Sequence, residues 1–171
     1  MMTPKDSNVI LIGMPGSGKS TVGVALAREL GFDFLDSDRA IEAQMGKKLS
    51  QLLDEHGDEG FRRIEEDVNA SLDVERTVIA TGGSVIYGPR AMEHLKTLGT
   101  VVYLQLPCRL LAQRLGDLHA RGVTIAPGMT LQDLYNERCP LYEKWADVTI
   151  PCQNQRLRST VTAIADIIRK G

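Results

Sequence analysis

Val9-Ile10-Leu11-Ile12 runs directly into Gly13-Met14-Pro15-Gly16-Ser17-Gly18-Lys19-Ser20, and an amphipathic helix pattern follows. The last eight residues spell G-x-x-x-x-G-K-S, a phosphate-binding loop, in the strand–loop–helix setting that such a loop requires. Glycines open backbone conformations closed to other residues, so successive N–H groups can turn inward around a polyphosphate. The helix adds the positive end of its dipole, and Lys19 adds a full charge able to reach the β- and γ-phosphates. Ser20 places a hydroxyl where a magnesium ion bridging those phosphates would sit. A glycine-rich turn with a chance Lys-Ser after it would lack both flanks. The expected ligand is a nucleoside triphosphate.

The rest of the chain suits a small α/β enzyme. Its 171 residues suffice for one well-packed domain and not for two. A net charge of −2 offers no general attraction for nucleic acid. The apolar share of 43% and charged share of 25% are those of an ordinary soluble domain. Cys108, Cys139 and Cys152 are odd in number, widely spaced and without a C-x-x-C pair, which predicts reduced packing residues in a cytoplasmic protein. Met1–Ser7 lacks the apolar stretch of a signal peptide, and no run reaches membrane-spanning length.

Strand and helix patterns alternate, as a parallel sheet wrapped by helices demands. Strands are expected at Asn8–Ile12, Phe32–Asp36, Thr77–Ala80, Thr100–Gln105 and Val148–Ile150. Helices are expected at Lys19–Leu30 ending on Gly31, Asp38–Met45, Ser50 (as N-cap) to Glu55, Asp58–Leu72, and from Pro89 to Gly99. Further helices are expected at Cys108–Leu115, Leu131–Arg138, a separate turn from Pro140 to Trp145, and Ser159–Arg169. Thr130 with Asp133 reads as a helix start. Between them, Gly116–Met129 is broken by Gly116, Gly122, Pro127 and Gly128 and reads as a mobile flap.

Beyond the loop, four groups carry chemistry. Asp36 and Asp38 end the second strand, at the sheet edge where α/β proteins hold ligands. On an extended segment their spacing sends both side chains to one side. One can serve magnesium and the other an acceptor hydroxyl, although either Ser37 or Asp38 could simply cap the next helix. Arg62 and Glu65 share a helix face, so Glu65 can orient the guanidinium as a fork for a substrate carboxylate; an inconsequential surface ion pair is the alternative. Thr81-Gly82-Gly83-Ser84 follows a buried-type strand and lets a ligand approach backbone N–H groups, or is merely a tight connection. Arg114, Arg121 and Arg138 flank or lie in the flap, and Arg121 is the best placed to neutralise a transferring phosphoryl group.

Together these features resemble the shikimate kinase family, small members of the nucleoside monophosphate kinase-like fold. The resemblance covers nearly the whole chain: the phosphate loop, Asp36-Ser37-Asp38 for D-x-D, and Phe61-Arg62 with Glu65 for F-R-x-x-E. It continues with Thr81-Gly82-Gly83 for the start of a glycine run and Arg138-Cys139-Pro140-Leu141-Tyr142 for R-x-P-L-Y. It implies a three-layer phosphate-loop kinase fold, a single domain whose five-stranded parallel sheet has the order 2-3-1-4-5. A substrate-binding helical region would span 38–72 and a mobile lid 116–129. It implies ATP phosphates on Gly16, Ser17, Gly18, Lys19, Ser20 and Thr21, and Mg2+ served by Ser20 and Asp36. Arg114 would stack on adenine, with the loop Gln153–Arg158 near its other side. Asp38 would act as base on the acceptor hydroxyl, with Lys19 and the lid residue Arg121 also catalytic. Arg62, Arg138 and the Gly82-Gly83 backbone would grip the substrate acid. The implied reaction moves the γ-phosphate of MgATP to shikimate, giving shikimate 3-phosphate in aromatic amino acid biosynthesis. The implied partner is a small molecule, with no nucleic acid and no membrane, and the expected form is a monomer.

Two positions depart from the family pattern: Ser84 stands where a third glycine is usual, and Gly122 follows the lid arginine where proline is usual. A side chain at 84 could crowd the acceptor or add a hydrogen bond, and Gly122 loosens the lid. The acceptor could therefore be another hydroxylated acid, such as gluconate. Two further readings are a regulatory ATP-binding pseudokinase and a nucleotide switch built on Asp54-Glu55-His56-Gly57. Lys19, Asp38 and Arg121 argue against the first. The second lacks an N-K-x-D guanine reader and a strand before D-x-x-G.

Overall fold

The computed structural model describes residues 8–115, 128–152 and 156–170. Five strands form one sheet: β1 (Asn8–Ile12), β2 (Asp33–Asp36), β3 (Thr77–Ala80), β4 (Gly99–Gln105) and β5 (Val148–Pro151). All neighbours pair in parallel and the order is β2-β3-β1-β4-β5. β1 sits in the middle, with Val9 beside Val78 on one flank and Thr100 on the other. The connections from β1 to β2 and from β3 to β4 lead to opposite sides of β1, which makes its carboxyl end the natural crevice of the sheet.

Alternation along the strands divides the core. Ile10 and Ile12 of β1, with Val101 and Tyr103 of β4, pack toward α4 (Pro89–Leu98) and α6 (Leu131–Trp145). Val9, Leu11, Val102 and Leu104 point the other way, onto α1 (Lys19–Leu30) and α7 (Leu157–Lys170). The α5 helix (Cys108–Arg114) follows β4. A smaller core of Ile41, Leu52, Phe61 and Val68 joins α2 (Ser37–Met45) to α3 (Leu49–Ala70), the region beside the carboxyl ends of β2 and β3.

Several expected boundaries move, each for a local reason. The two helices expected at Ser50–Glu55 and Asp58–Leu72 are the two parts of α3, which meet at a break on Gly57, whose φ of 72° and ψ of 178° are non-helical. Ser50 lies inside this helix rather than capping it: the start is at Lys48, whose N–H donates to Gln51 Oε1 at 2.9 Å, and Glu42 Oε2 takes the Leu49 N–H at 3.0 Å. Pro140 does not begin a separate turn. α6 runs through it, because Leu134, Arg138 and Tyr142 bury one continuous face while Pro140 stays exposed. Thr130 and Asp133 do form a reciprocal capping pair at its start, with Thr130 Oγ accepting from Asp133 N–H at 3.1 Å. A 3₁₀ turn at Val85–Tyr87, unmarked in the sequence pattern, follows the double glycine. Among the described residues no helix is long and apolar enough to cross a membrane, and all three cysteines carry free thiols.

Candidate active site

A cleft of about 400 Å³ opens at the carboxyl ends of β1, β2 and β3, lined by the phosphate loop, Asp36, Asp38, Glu65, Thr81–Ser84 and Arg138. The loop leaves β1 at Gly13 and enters α1 at Gly18. Gly16 (φ 81°) and Gly18 (φ 94°) both hold left-handed backbone that turns N–H groups inward. Lys19 Nζ donates to the carbonyls of Gly13 (2.8 Å) and Met14 (2.9 Å). Burial pulls its ammonium down to about 8, against the attraction of Asp38 and Asp36. The buried Ser17 Oγ has no hydrogen-bond partner, an orphan that a phosphate oxygen would satisfy. Arg114 reaches back from α5 and donates to the Gly16 carbonyl at 3.0 Å.

The two aspartates reach the same cleft by a route other than the extended one expected. Asp36 ends β2 and caps α2: its Oδ1 accepts from the N–H groups of Asp38 (3.0 Å) and Arg39 (3.4 Å). Asp38 already lies in the first helical turn. Capping and ligand-holding are therefore not alternatives, because Asp36 has a second oxygen, Oδ2, which takes the Ser20 hydroxyl at 3.2 Å. Ser20 and Asp36 thus present an all-oxygen pair beside the phosphate loop, a donor set that fits a hard divalent cation. Burial first, and the neighbouring charge of Asp36 second, push the Asp38 carboxyl up to about 6, with Lys19 pulling against them.

Across the cleft, the double glycine is a necessity of space. A Cβ on Gly82 would lie 2.6 Å from Glu65 Oε2 and 2.7 Å from Asp38 Oδ1; one on Gly83 would lie 2.8 Å from Pro15 Cδ and 2.9 Å from Arg138 Nη1. The buried Arg138 donates through Nε to the Tyr87 hydroxyl at 3.4 Å, and that hydroxyl also makes a short bond to Glu137. Tyr142 is fully buried, and its hydroxyl donates to the Gly83 carbonyl at 2.6 Å. The expected Arg62–Glu65 pair is not formed. Glu65 instead accepts the Ser84 hydroxyl at 2.5 Å, while the Arg62 guanidinium lies 4.0 Å from the centroid of the Tyr87 ring, in a smaller adjoining cavity. Helix spacing brought Arg62 and Glu65 to one face, but a hydroxyl from another element won the carboxylate. Burial pushes Glu65 up to about 7, partly offset by the Ser84 bond.

The shikimate kinase family model matches residues 15–169. The chain belongs to the shikimate kinase family. The shikimate kinase of Thiobacillus denitrificans is 40% identical over 154 residues, spanning 88% of this chain and 84% of that protein. That of Haemophilus influenzae is 36% identical over 165 residues, spanning 94% and 92%. A solved shikimate kinase from Acinetobacter baumannii, in complex with shikimate, superposes with a TM-score of 0.82 at 33% identity, covering 98% of this chain and 95% of that one. A gluconokinase from Sinorhizobium meliloti reaches 0.56 at 17% identity, a likeness of fold alone. The sheet order expected from the shikimate kinase resemblance is the order observed.

Most residues singled out by that family resemblance converge on the cleft: Gly16, Gly18, Lys19, Ser20, Thr21, Asp36, Asp38, Gly82, Gly83 and Arg138 all line it. Arg62 lines the adjoining cavity instead. Arg121 lies outside the described residues, as do 116–127 of the expected lid and 153–155 of the loop placed near adenine. Sequence reasoning missed Tyr87, which contacts both Arg62 and Arg138 (5.4 Å from the ring centroid). No spacing rule links a 3₁₀ turn to residues 25 positions before and 51 after it. Arg39 also lines the cleft; its place next to Asp38 was the available signal.

Proposed function

We infer that the protein is an ATP-dependent kinase that transfers the γ-phosphate of MgATP to a hydroxyl of shikimate. The observation that carries this reading is one cleft in which the phosphate loop, Asp38 and the acid-binding side of Arg138 and Gly82-Gly83 face each other. Lys19 exchanges its two carbonyl partners for phosphate oxygens, and the loop amides with Ser17, Ser20 and Thr21 hold the rest of the polyphosphate. Ser20 and Asp36 would hold magnesium, and the ion would supply charge neutralisation for the phosphoryl group. Arg114 flanks the nucleotide from the loop side.

Arg138, with Arg62 moving in from Tyr87, grips the carboxylate of the acceptor, and the Gly82-Gly83 backbone seats it. The acceptor hydroxyl lies against Asp38. Its oxygen forms the new bond to the γ-phosphorus while Asp38 takes the proton and ADP leaves with the electrons of the broken P–O bond. Positioning and charge neutralisation supply most of the acceleration, with Arg121 and the lid segment 116–129 as proposed contributors. The proposal extends to a single domain, monomeric and cytoplasmic, the last resting on cysteine usage. The test is ADP release measured across shikimate, gluconate and no acceptor. Turnover with shikimate alone is expected; equal turnover with gluconate, or with water, would overturn the assignment.

A further inference from the structure

Among the described residues, nothing accepts the N–H groups of Gly82, Gly83 and Ser84, although all three residues line the main cleft. Backbone donors left without partners beside a cleft gain when a ligand supplies an acceptor. What aims them acts from the far side of the peptide. Thr81 is pinned first: its N–H (3.2 Å) and its hydroxyl (2.8 Å) both donate to the Leu11 carbonyl of β1. Two residues on, the Gly83 carbonyl accepts the Tyr142 hydroxyl at 2.6 Å. Peptides among the described residues are trans, and a planar trans peptide points its N–H opposite to its C=O. Holding the Gly83 carbonyl on Tyr142 therefore turns the Ser84 N–H away from that buried ring.

We propose that Tyr142 is a positioning residue: its hydroxyl fixes the Gly83–Ser84 peptide so that the Ser84 N–H faces the cleft and donates to the carboxylate of the acceptor. Gly83 has no side chain of its own to hold that peptide. A Cβ there would lie 2.9 Å from Arg138 Nη1, so the anchored peptide and the guanidinium are neighbours. Arg138 and Tyr142 are one turn apart on the buried face of α6. One helix face thereby sets both donors, Arg138 by direct reach and the amide through Tyr142. The same hydroxyl lies 3.8 Å from Sδ of Met14, a buried residue of the phosphate loop, which ties the acceptor seat to the ATP side. The ring is held independently of its hydroxyl, stacked on Tyr103 with 5.1 Å between centroids. Burial holds the phenol well above the ordinary range for tyrosine, so the donated proton is present near neutral pH. The role toward the carboxylate rests on the proposed acceptor being an acid; the setting of the peptide does not.

The experiment compares Tyr142→Phe with Tyr103→Phe, in ligand-free crystals and in steady-state assays. Both delete one hydroxyl from the same stacked pair, but the Tyr103 hydroxyl donates to Cys139 Sγ at 3.4 Å and not to Gly83. In Tyr142→Phe crystals the Gly83–Ser84 peptide is expected to rotate from its wild-type orientation. The KM of that variant for shikimate should rise about tenfold, the loss of one charge-assisted hydrogen bond, while kcat and the KM for ATP stay within about twofold. Tyr103→Phe should keep both the wild-type peptide and the wild-type KM, which separates the Gly83 bond from general loosening of the core. The inference is overturned if the peptide keeps its orientation in Tyr142→Phe, if Tyr103→Phe raises the KM for shikimate as much, or if kcat and both KM values deteriorate together. A wild-type protein inert toward shikimate would instead remove the acceptor reading, and the crystals would still decide whether Tyr142 sets the peptide.

Discussion

Replacing Asp38 by Asn should abolish most turnover and at the same time make the fold more stable. Burial, reinforced by Asp36, raises this carboxyl from its ordinary 3.8 to about 6. At about 1.4 kcal/mol for each tenfold change in proton affinity, keeping Asp38 ionised costs the folded state about 3 kcal/mol. Because the folded value is the higher one, the favourable contribution is complete below 3.8 and is lost as pH rises through about 6. Asparagine has the same shape, keeps the backbone N–H that Asp36 caps, and never ionises. Urea unfolding should therefore show the variant more stable by about 2–3 kcal/mol at about pH 8, with the difference shrinking toward zero near pH 4. In the ADP assay the same protein should lose about 10²–10⁴ in kcat, the usual worth of a positioned proton acceptor, with the KM for ATP nearly unchanged. A variant less stable than wild type at pH 8 would refute the burial argument. One that retained turnover would refute the role of Asp38 as base.

Three further outcomes are expected. The kcat/KM for ATP should fall on the acid side as Asp38 protonates near 6, and on the alkaline side above about 8 as Lys19 loses its charge; a profile flat from 5 to 9, on a scale of roughly those pH values, would contradict both shifts. Arg62→Lys should raise the KM for shikimate by about tenfold and spare that for ATP, since a point charge lacks the two-pronged fork. Gly82→Ala puts a methyl 2.6 Å from Glu65 Oε2 and 2.7 Å from Asp38 Oδ1, and displacing those carboxylates should cost at least about tenfold in kcat/KM for shikimate; wild-type kinetics would mean the site yields without consequence.

How far the sequence alone reached depended on whether a feature was local. The phosphate loop was legible because each part of it acts on its immediate neighbours: β1 and α1 lie where they were expected, and Gly16 and Gly18 hold the backbone conformations the motif needs. The convergence of Asp38, Gly82 and Arg138 on one cleft was anticipated by the family resemblance, though not by spacing. Asp38 arrives there from a helix rather than an extended strand. The Arg62–Glu65 expectation failed because spacing of three shows which side chains can meet, and not which competitor reaches first. Ser84, 19 residues later, supplied the winning donor. α6 runs through Pro140 for a related reason: a local rule against proline inside helices was outweighed by the burial of Arg138 and Tyr142 on either side. Tyr87 left no local mark, and its importance comes entirely from the tertiary placement of two arginines around its ring.

The most direct test of the central claim follows the phosphoryl group itself. Incubated with magnesium, shikimate and ATP labelled in its γ-phosphate, the protein should deliver the label to a shikimate phosphate ester at the rate at which ADP appears. Label recovered as inorganic phosphate, or transferred to gluconate as readily as to shikimate, would contradict the account.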